Sequence, residues 1–424
     1  MTIPDQPRLR RVESFPVNRP EGEVVFAFRD PEGFSDPIVI PYAAAVLASL
    51  MDGSRTLAGI QVDYQQRFGQ SVALAEIEGL VRDLDDRLYL DTDRFRARWK
   101  SEIEFYLNSR SRPAAHAGQA YAGDAEELKE QLAALFTGEK GPGAPVLPSE
   151  SSTAGSDLLG VLSPHIDLQR GGIAFAYAYK HLVEQSDADL FVIFGTGHNP
   201  MRNLFSVSRK DFETPLGTVE TDRQFVARLT QNLAVNPGGR ELNLAADELA
   251  GRQEHSIEFQ AVFLQYLLGG KRPFKIVPVL TGSFHELITA GRSPSKSPEV
   301  AAFVAAMRKT AEAHPGRVCY ISGGDLAHVG QRFGDREFLD APRLAELAED
   351  DRRLLAKACE PDAEGFFQHV ATAGDCHRIC GLSPTYTMLE VIRPGRGELL
   401  KYDQAVELDG TACVSFASAA FYRD

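Results

Sequence analysis

The sequence predicts an α/β protein with a mostly parallel central sheet flanked by helices, preceded by a small N-terminal winged-helix-like α+β unit. Three observations carry that expectation. From Leu158 onward, short apolar stretches such as Ala188–Gly195 (ADLFVIFG) alternate with amphipathic segments, the texture of strand–helix–strand units. Before about residue 108 the elements are shorter and helical spacings follow one another closely. A length of 424 residues exceeds one ordinary domain and suits two or three of roughly 100–200 residues each.

In chain order, residues 1–20 read as a flexible arm. Residues 23–40 carry Val24, Val25, Phe26 and Phe28 in a hairpin pattern ending near Pro37–Pro41. Pro41–Met51 reads as a short helix. Asp52–Thr56 is a turn ending on an N-cap residue. Leu57–Phe68 then places Leu57, Ile60, Val62 and Tyr64 at helical positions, with Gly69 where a C-cap glycine belongs. Ala73–Leu88 puts Ile77, Leu80, Val81 and Leu84 on one helical face. Leu88–Leu90 reads as a short strand and Ile103–Arg110 as the end of a linker helix. Gly138–Ser156, rich in Gly, Pro and Ser, is a long loop, either a lid or a mobile insertion. Strands are expected at Leu158–Leu162, Ala188–Gly195, Phe274–Leu280 and Arg317–Ser322. Helices are expected at Ile173–Glu184, Asp247–Leu268 and Pro298–His314. Two more helices fill 340–370, another covers Thr385–Ile392, and the strands Leu399–Glu407 and Thr411–Tyr422 come last.

Composition excludes several classes. Apolar residues at 43% and charged residues at 25% are ordinary for a globular protein, which rules out a largely disordered chain. The longest apolar run, Ala43–Met51, is interrupted by Ser49 and falls far short of the roughly 20 residues of a spanning helix. Met1–Pro20 lacks the apolar region of a secretory signal. No membrane association and a cytoplasmic location are therefore expected. Lys plus Arg is 45 against 59 Asp plus Glu, and the resulting −14 repels phosphate backbones, so no nucleic acid partner is expected. The five cysteines, Cys319, Cys359, Cys376, Cys380 and Cys413, are odd in number and read as reduced thiols.

Three predicted strands end alike. The first runs into Ser163-Pro164-His165, the second into Gly195-Thr196-Gly197-His198-Asn199-Pro200, and the third into Gly323-Gly324-Asp325-Leu326-Ala327-His328. Ligands of open α/β sheets sit outside the carboxyl ends of parallel strands, so one histidine per strand end can converge on one point. Gly195, Gly197, Gly323 and Gly324 permit close backbone approach. The competing reading makes each a satisfied loop or core histidine. Glu254-His255-Ser256-Ile257-Glu258 falls on the predicted long helix, where His255 and Glu258 share a face. They could ligate a metal, move protons, orient other ligands or form only a local ion pair; orientation of ligands from a helix interior is favoured. No His-Glu-x-x-His pattern is present, which excludes that type of peptidase. Asp375-Cys376-His377-Arg378-Ile379-Cys380-Gly381 precedes a helix, and a thiol near a helix start is the better ligand, so Cys380 stands out. Cys376 and His377 read as loop residues, and Cys319, Cys359 and Cys413 as buried bulk.

Two resemblances follow. LMDGSRTLAGI, YQQRFG and EIEGLVRDLDDRLYL resemble the PqqD-like family, small domains that recognise precursor peptides of modified natural products. That implies peptide binding by strand addition to an exposed edge. The alternative is an unrelated appendage. SPHIDLQRGG, GTGHNP, TPLGTVETD, EHSIEFQ, IVPVL, GGDLAHVGQRF and ICGLSPT are similar, in order, to the motifs of the Memo family. Pro113–Phe136 is similar to that family's N-terminal segment. The division implied is residues 1–108 as a PqqD-like unit and 112–424 as a Memo-like metal-binding α/β domain. The Memo family resembles the catalytic subunits of class III extradiol dioxygenases, which use non-haem Fe(II), and supplies the B component of the prokaryotic AmmeMemoRadiSam grouping.

By motif position the resemblance puts metal ligands on His165, His198 and Cys380. It puts the family's paired acid and histidine on Asp325 and His328, and the histidine of its EHSIE motif on His255, all three as catalytic residues. Two departures stand out. Ile166 and Asp167 replace the residues that usually follow the first ligand, and Asp167 is expected to add a carboxylate close to the metal. Asn199 replaces a second adjacent histidine. The implied function is an oxidation that depends on one transition ion, Fe(II) first, with Cu or Zn tolerated by a thiolate-containing set. The alternatives are a copper- or iron-binding redox protein without turnover, and a peptide-binding adaptor with a vestigial site. Implied partners are a peptide or protein substrate reached through the first unit, and other components of the AmmeMemoRadiSam grouping, including a radical SAM protein.

Overall fold

The computed structural model describes residues 3–19, 24–147, 157–234 and 243–423. The chain forms two compact units, Met1–Asn108 and Ser109–Asp424. The second half of the Gly138–Ser156 loop, 148–156, lies outside the described residues, as do residues 1–2 and 20 of the expected arm and residue 23 of the expected hairpin.

The first unit has strands β1 (Glu13–Asn18), β2 (Val24–Arg29) and β3 (Ile38–Pro41), paired antiparallel in that order, and helices α1 (Tyr42–Ser49), α2 (Leu57–Phe68), α3 (Leu74–Asp86) and α4 (Asp93–Asn108). Thr56 caps α2 by accepting from the Gly59 amide, and Gly69 ends it at φ +67°. Phe28, Ile60, Ile77, Val81, Leu84 and Tyr89 form its core. Two expectations change. The arm is tied down rather than flexible: Leu9 bridges Leu90, and the buried Arg10 side chain pairs with Asp30 at 3.0 Å while lying 3.6 Å over the Phe95 ring. Leu88–Leu90 is a single bridge at Leu90 rather than a strand, because Leu88 leaves α3 at φ +63°.

The second unit begins with β4 (Ser111–Arg112) and α5 (Ala125–Thr137), followed by β5 (Leu158–Ser163), α6 (Leu168–Gln185) and β6 (Leu190–Thr196). Short strands β7 (Phe205–Val207), β8 (Asp211–Thr214) and β9 (Gly217–Val219) and helix α7 (Arg223–Ala234) come next. They lead to α8 (His255–Leu268), β10 (Lys275–Thr281), α9 (His285–Thr289), α10 (Pro298–Glu312), β11 (Val318–Gly323) and β12 (His328–Val329). The unit closes with α11 (Ala341–Cys359), α12 (Ala363–Thr372), α13 (Leu382–Ile392), β13 (Arg396–Val406) and β14 (Cys413–Tyr422).

The central sheet runs β12-β14-β5-β11-β6-β10-β7, with β13 on β14. Its middle, β5-β11-β6-β10, is parallel. Its margins are antiparallel: β14 to β5, β12 and β13 to β14, β7 to β10. Helices cover both faces, which is why the middle strands are apolar on both sides. Along β6, Val192 and Phe194 enter a core with α10, α12 and α13, while Phe191 and Ile193 enter a core with α5, α6 and α8. Among the described residues no helix is long and apolar enough to cross a membrane.

The expected Asp247–Leu268 helix is interrupted. A short 3-10 turn covers Glu248–Gly251, and α8 begins afresh at His255. Arg112, almost fully buried, makes the break. Its Nε donates to the Gly251 carbonyl (2.7 Å), its Nη2 to the Glu254 carbonyl (2.6 Å) and its Nη1 to Glu258 (2.6 Å). Glu258, also buried, accepts further from the Ala115 and His116 amides and from the Tyr121 hydroxyl. Removing one partner of such a pair strands the other and costs about 3–5 kcal/mol. Arg112→Met is expected to lower the denaturant midpoint accordingly, and Arg112→Met with Glu258→Leu to recover part of the loss. An unchanged midpoint in the single variant would show that the pair contributes nothing.

Candidate metal centre

The site lies at the carboxyl ends of the parallel strands. His165 is two residues past β5, His198 two past β6 and Asp325 two past β11. Register makes the three ends level, with Ser163 beside Gly323 and Gly323 beside Gly195. The glycines are needed for contact. A Cβ on Gly195 would lie 2.5 Å from Ser256 Oγ, and one on Gly323 would lie 2.7 Å from the Ser256 carbonyl oxygen. The start of α8 therefore packs directly against the strand ends.

His165 is buried, and its Nδ1 donates to the Gly323 carbonyl at 2.9 Å. That bond fixes the tautomer and leaves Nε2 facing the site. Burial pushes the imidazole down to about 3, so it is neutral. Cys380 Sγ lies 3.2 Å from that Nε2 and Asp325 Oδ2 3.6 Å from it. His198 is more open, with 39% of its side chain exposed. Its Nδ1 donates to Glu254 at 2.9 Å, and its amide donates to the same carboxylate at 2.9 Å. Desolvation opposes a charge on His198, but the Glu254 carboxylate outweighs it and raises the imidazole. Glu254 shows the converse: burial favours the neutral acid, yet His198 holds it below the usual carboxylate range.

His255 is not inside a helix but its first residue, and Glu254, capping α8 through the Ser256 amide, lies 3.4 Å from its Nδ1. Ring centroids are 5.0 Å apart for His165 and His198, 5.1 Å for His165 and His255, and 4.8 Å for His198 and His255. Burial depresses His255 well below the usual imidazole range. Its expected partner Glu258 points away, into the Arg112 pair. His116, which spacing did not single out, backs His255 with ring centroids 5.7 Å apart and its Nε2 3.0 Å from the Gln253 carbonyl.

Asp325 is buried and accepts from the His165 amide (2.9 Å) and the Ile166 amide (3.2 Å). Burial raises its carboxyl group. Its hydrogen bonds thus shape the His165 turn. His328 instead directs Nδ1 toward the Leu326 carbonyl at 3.2 Å, and its amide donates to the His377 carbonyl at 2.7 Å. Burial lowers the His328 imidazole. Cys380 precedes α13, its carbonyl held by Thr196 Oγ1 at 2.9 Å, and burial raises its thiol well above the ordinary value. Arg378, at φ +55°, donates to the His328 carbonyl (3.0 Å) and to Asp335 (2.6 Å), linking the two segments.

The departures fall outside the cluster. Asp167 caps α6, accepting from the Arg170 amide at 3.1 Å and from Arg170 Nε at 2.6 Å. Its carboxylate, expected beside a metal, is engaged by the helix start and Arg170 and belongs to neither of the two ion-capable groups described below. The pattern Asp-x-x-Arg ahead of a helical run was the available signal for a cap. Asn199 Nδ2 donates to the Ala250 carbonyl at 3.4 Å. Cys376 is exposed, and His377 lies 3.4 Å from Asp350. Cys319 and Cys413 are buried and Cys359 half-buried.

Among the described residues two groups could hold an ion: His165, His198 and His255, and His165, Asp325 and Cys380, each with ligand atoms within 4.8 Å of one another. His165 is common to both, with His198 in one and Cys380 in the other. The donors suit a transition ion. The imidazoles of His165 and His198 are fixed through Nδ1, and the half-buried Cys380 thiol faces His165 Nε2 and the Asp325 carbonyl at 3.7 Å.

Fold and site together define an α/β protein whose parallel strand ends gather histidines, carboxylates and a cysteine at one point. The family model described as Memo-like protein matches residues 112–420, and the chain belongs to that family. A MEMO1 family protein of Aquifex aeolicus is 29% identical over 409 residues, covering 94% of this chain and 96% of that protein. That alignment is longer than the second unit and so extends into the first. A MEMO1 family protein of Methanopyrus kandleri is 29% identical over 318 residues, covering 74% of this chain and 99% of that protein. One of Pyrococcus furiosus is 32% identical over 280 residues, covering 64% of this chain and 83% of that protein.

Carboxylates that orient ligating histidines are worth about 10–100-fold in metal affinity. Glu254→Gln is expected to weaken metal binding by that factor in a competition titration against a chromophoric chelator. Unchanged affinity would remove Glu254 from any part in the centre.

Proposed function

We propose that this protein is a mononuclear non-haem metal enzyme that carries out an O2-linked oxidation, with Fe(II) as the favoured ion and His165, His198 and Cys380 as ligands. The observation that carries the reading is the paired fixing of Nδ1 on His165 by Gly323 and on His198 by Glu254, which leaves both Nε2 atoms for one ion. Two imidazoles and a thiolate leave coordination positions open, and Fe(II) bound there would supply the electron chemistry that O2 activation needs. The chain's own residues do the rest. Cys380 gives up its thiol proton on ligation, so uptake is coupled to pH. Asp325 holds the His165 turn through two amides. His328, neutral and within the same enclosure, exchanges a proton with the substrate. The thiolate favours a second reading, capture of copper or iron without turnover, since soft ligands select Cu(I).

We also read the first unit as the element that receives a peptide substrate. Edge strand β1 supports this, with Phe15 and Val17 exposed to 41% and 37%. A partner from the AmmeMemoRadiSam grouping, including its radical SAM component, is consistent with the family. Val17→Pro in the full chain is expected to abolish strand addition by a bound peptide. Retained binding, followed by fluorescence anisotropy, would sink the edge-strand reading.

Anaerobic purification with metal analysis by mass spectrometry tests the main reading. About one iron per chain, lost in His165→Ala, His198→Ala and Cys380→Ala, is expected alongside O2 uptake. His328→Asn is expected to keep the metal and lose turnover by about 10²–10⁴-fold. Copper at the same stoichiometry without O2 uptake would move the assignment to metal capture. No metal after reconstitution would overturn both.

A further inference from the structure

We propose that His255 is itself a metal ligand, so that three imidazoles, from His165, His198 and His255, grip one face of the ion while Cys380 approaches from the side of Asp325. The proposal deepens the metal reading above and rests on it. Its first support is distance. With metal–nitrogen bonds of about 2.0–2.1 Å, imidazoles at right-angle to tetrahedral positions around one ion have ring centroids about 4.5–5.2 Å apart. The three observed separations, 5.0, 5.1 and 4.8 Å, all fall in that interval. The ligand atoms of these three residues also form one compact group.

Its second support is the setting of the ring. Glu254 accepts from Nδ1 of His198 at 2.9 Å and lies 3.4 Å from Nδ1 of His255, so one buried carboxylate neighbours both rings. A histidine serving only to orient another ligand would direct a nitrogen at that ligand's free ring atom. Here His165 already has its Nδ1 on Gly323 and His198 its Nδ1 on Glu254, so neither needs His255 as an acceptor. Position agrees: as the first residue of α8, His255 stands beside the strand ends, where Gly195 and Gly323 admit Ser256. His165 Nε2 can bind only one ion. The two groups that share it therefore cannot hold two ions at once, and one ion between them would take ligands from both.

The test uses the full chain loaded anaerobically with Fe(II), or with Zn(II) as a redox-silent probe, and X-ray absorption at the metal edge. Wild type is expected to show outer-shell scattering from three imidazoles and one sulfur. His255→Ala is expected to bind at least about tenfold more weakly in the chelator titration, with two imidazoles remaining around the metal it retains. A wild-type spectrum with two imidazoles would overturn the proposal, and that measurement does not depend on any variant folding. A weakened His255→Ala that leaves the imidazole count unchanged would also overturn it, leaving His255 a positioning residue. Absence of metal from wild type, or its full retention by His165→Ala, would instead sink the metal reading on which the proposal rests.

Discussion

The geometry of the centre depends on a cation far from it in the chain. Arg112 is buried against Glu258, and that pair fixes where α8 starts. Without a donor for the carbonyls of Gly251 and Glu254, the helical pattern has no reason to stop and restart at His255. The restart brings Glu254 to the position from which its carboxylate holds His198 and caps α8. A buried ion pair is weak evidence of stability, since well-packed apolar side chains often do as well. Here it acts on specificity instead, because one guanidinium sets two backbone carbonyls and one carboxylate in a single arrangement.

The side chains of the centre are poised toward neutrality. Burial keeps His165 and His255 uncharged and the Cys380 thiol protonated, and it raises Asp325. At the His198–Glu254 contact, on the more exposed side, the Glu254 carboxylate outweighs desolvation and raises the His198 imidazole. His165 and His255 thus present neutral nitrogen donors, with the ring of His165 held by the Gly323 carbonyl. On the metal-centre reading, an ion bound at Cys380 would displace the thiol proton as it bound, so a bare thiolate would not have to be held there.

The strand–helix alternation from Leu158 onward was legible because helices on both faces leave the middle strands with uninterrupted apolar runs, such as Leu190–Thr196. The strand-end positions of His165 and His198 were legible for the same reason, since each follows such a run directly. The shortest strands were not: β7 and β9 have three residues each and β8 four, too few to show a period. His255 and Glu258 share a helix face by spacing, but Glu258 is claimed by Arg112, 146 residues earlier. Nothing local marks that. Arg10 fails to read as structural for a like reason, since its partner Asp30 sits 20 residues away across the hairpin.

Strand β14 carries a consequence for synthesis. All ten of its residues are buried, and it sits between β5 and the pair β12 and β13. Ser415 also braces the segment after β11: its carbonyl accepts from the Leu326 amide at 2.8 Å, and its hydroxyl from the Ala327 amide at 2.9 Å. A nascent chain on the ribosome therefore acquires every candidate ligand, Cys380 included, before it can lock Asp325 and His328 in place. Until residues 413–422 emerge, the outer edge of β5 remains an open apolar template, the kind of edge that recruits other chains. On the metal-centre reading, an ion that met the chain before residues 413–422 were placed would find the Asp325–His328 segment without its Ser415 brace.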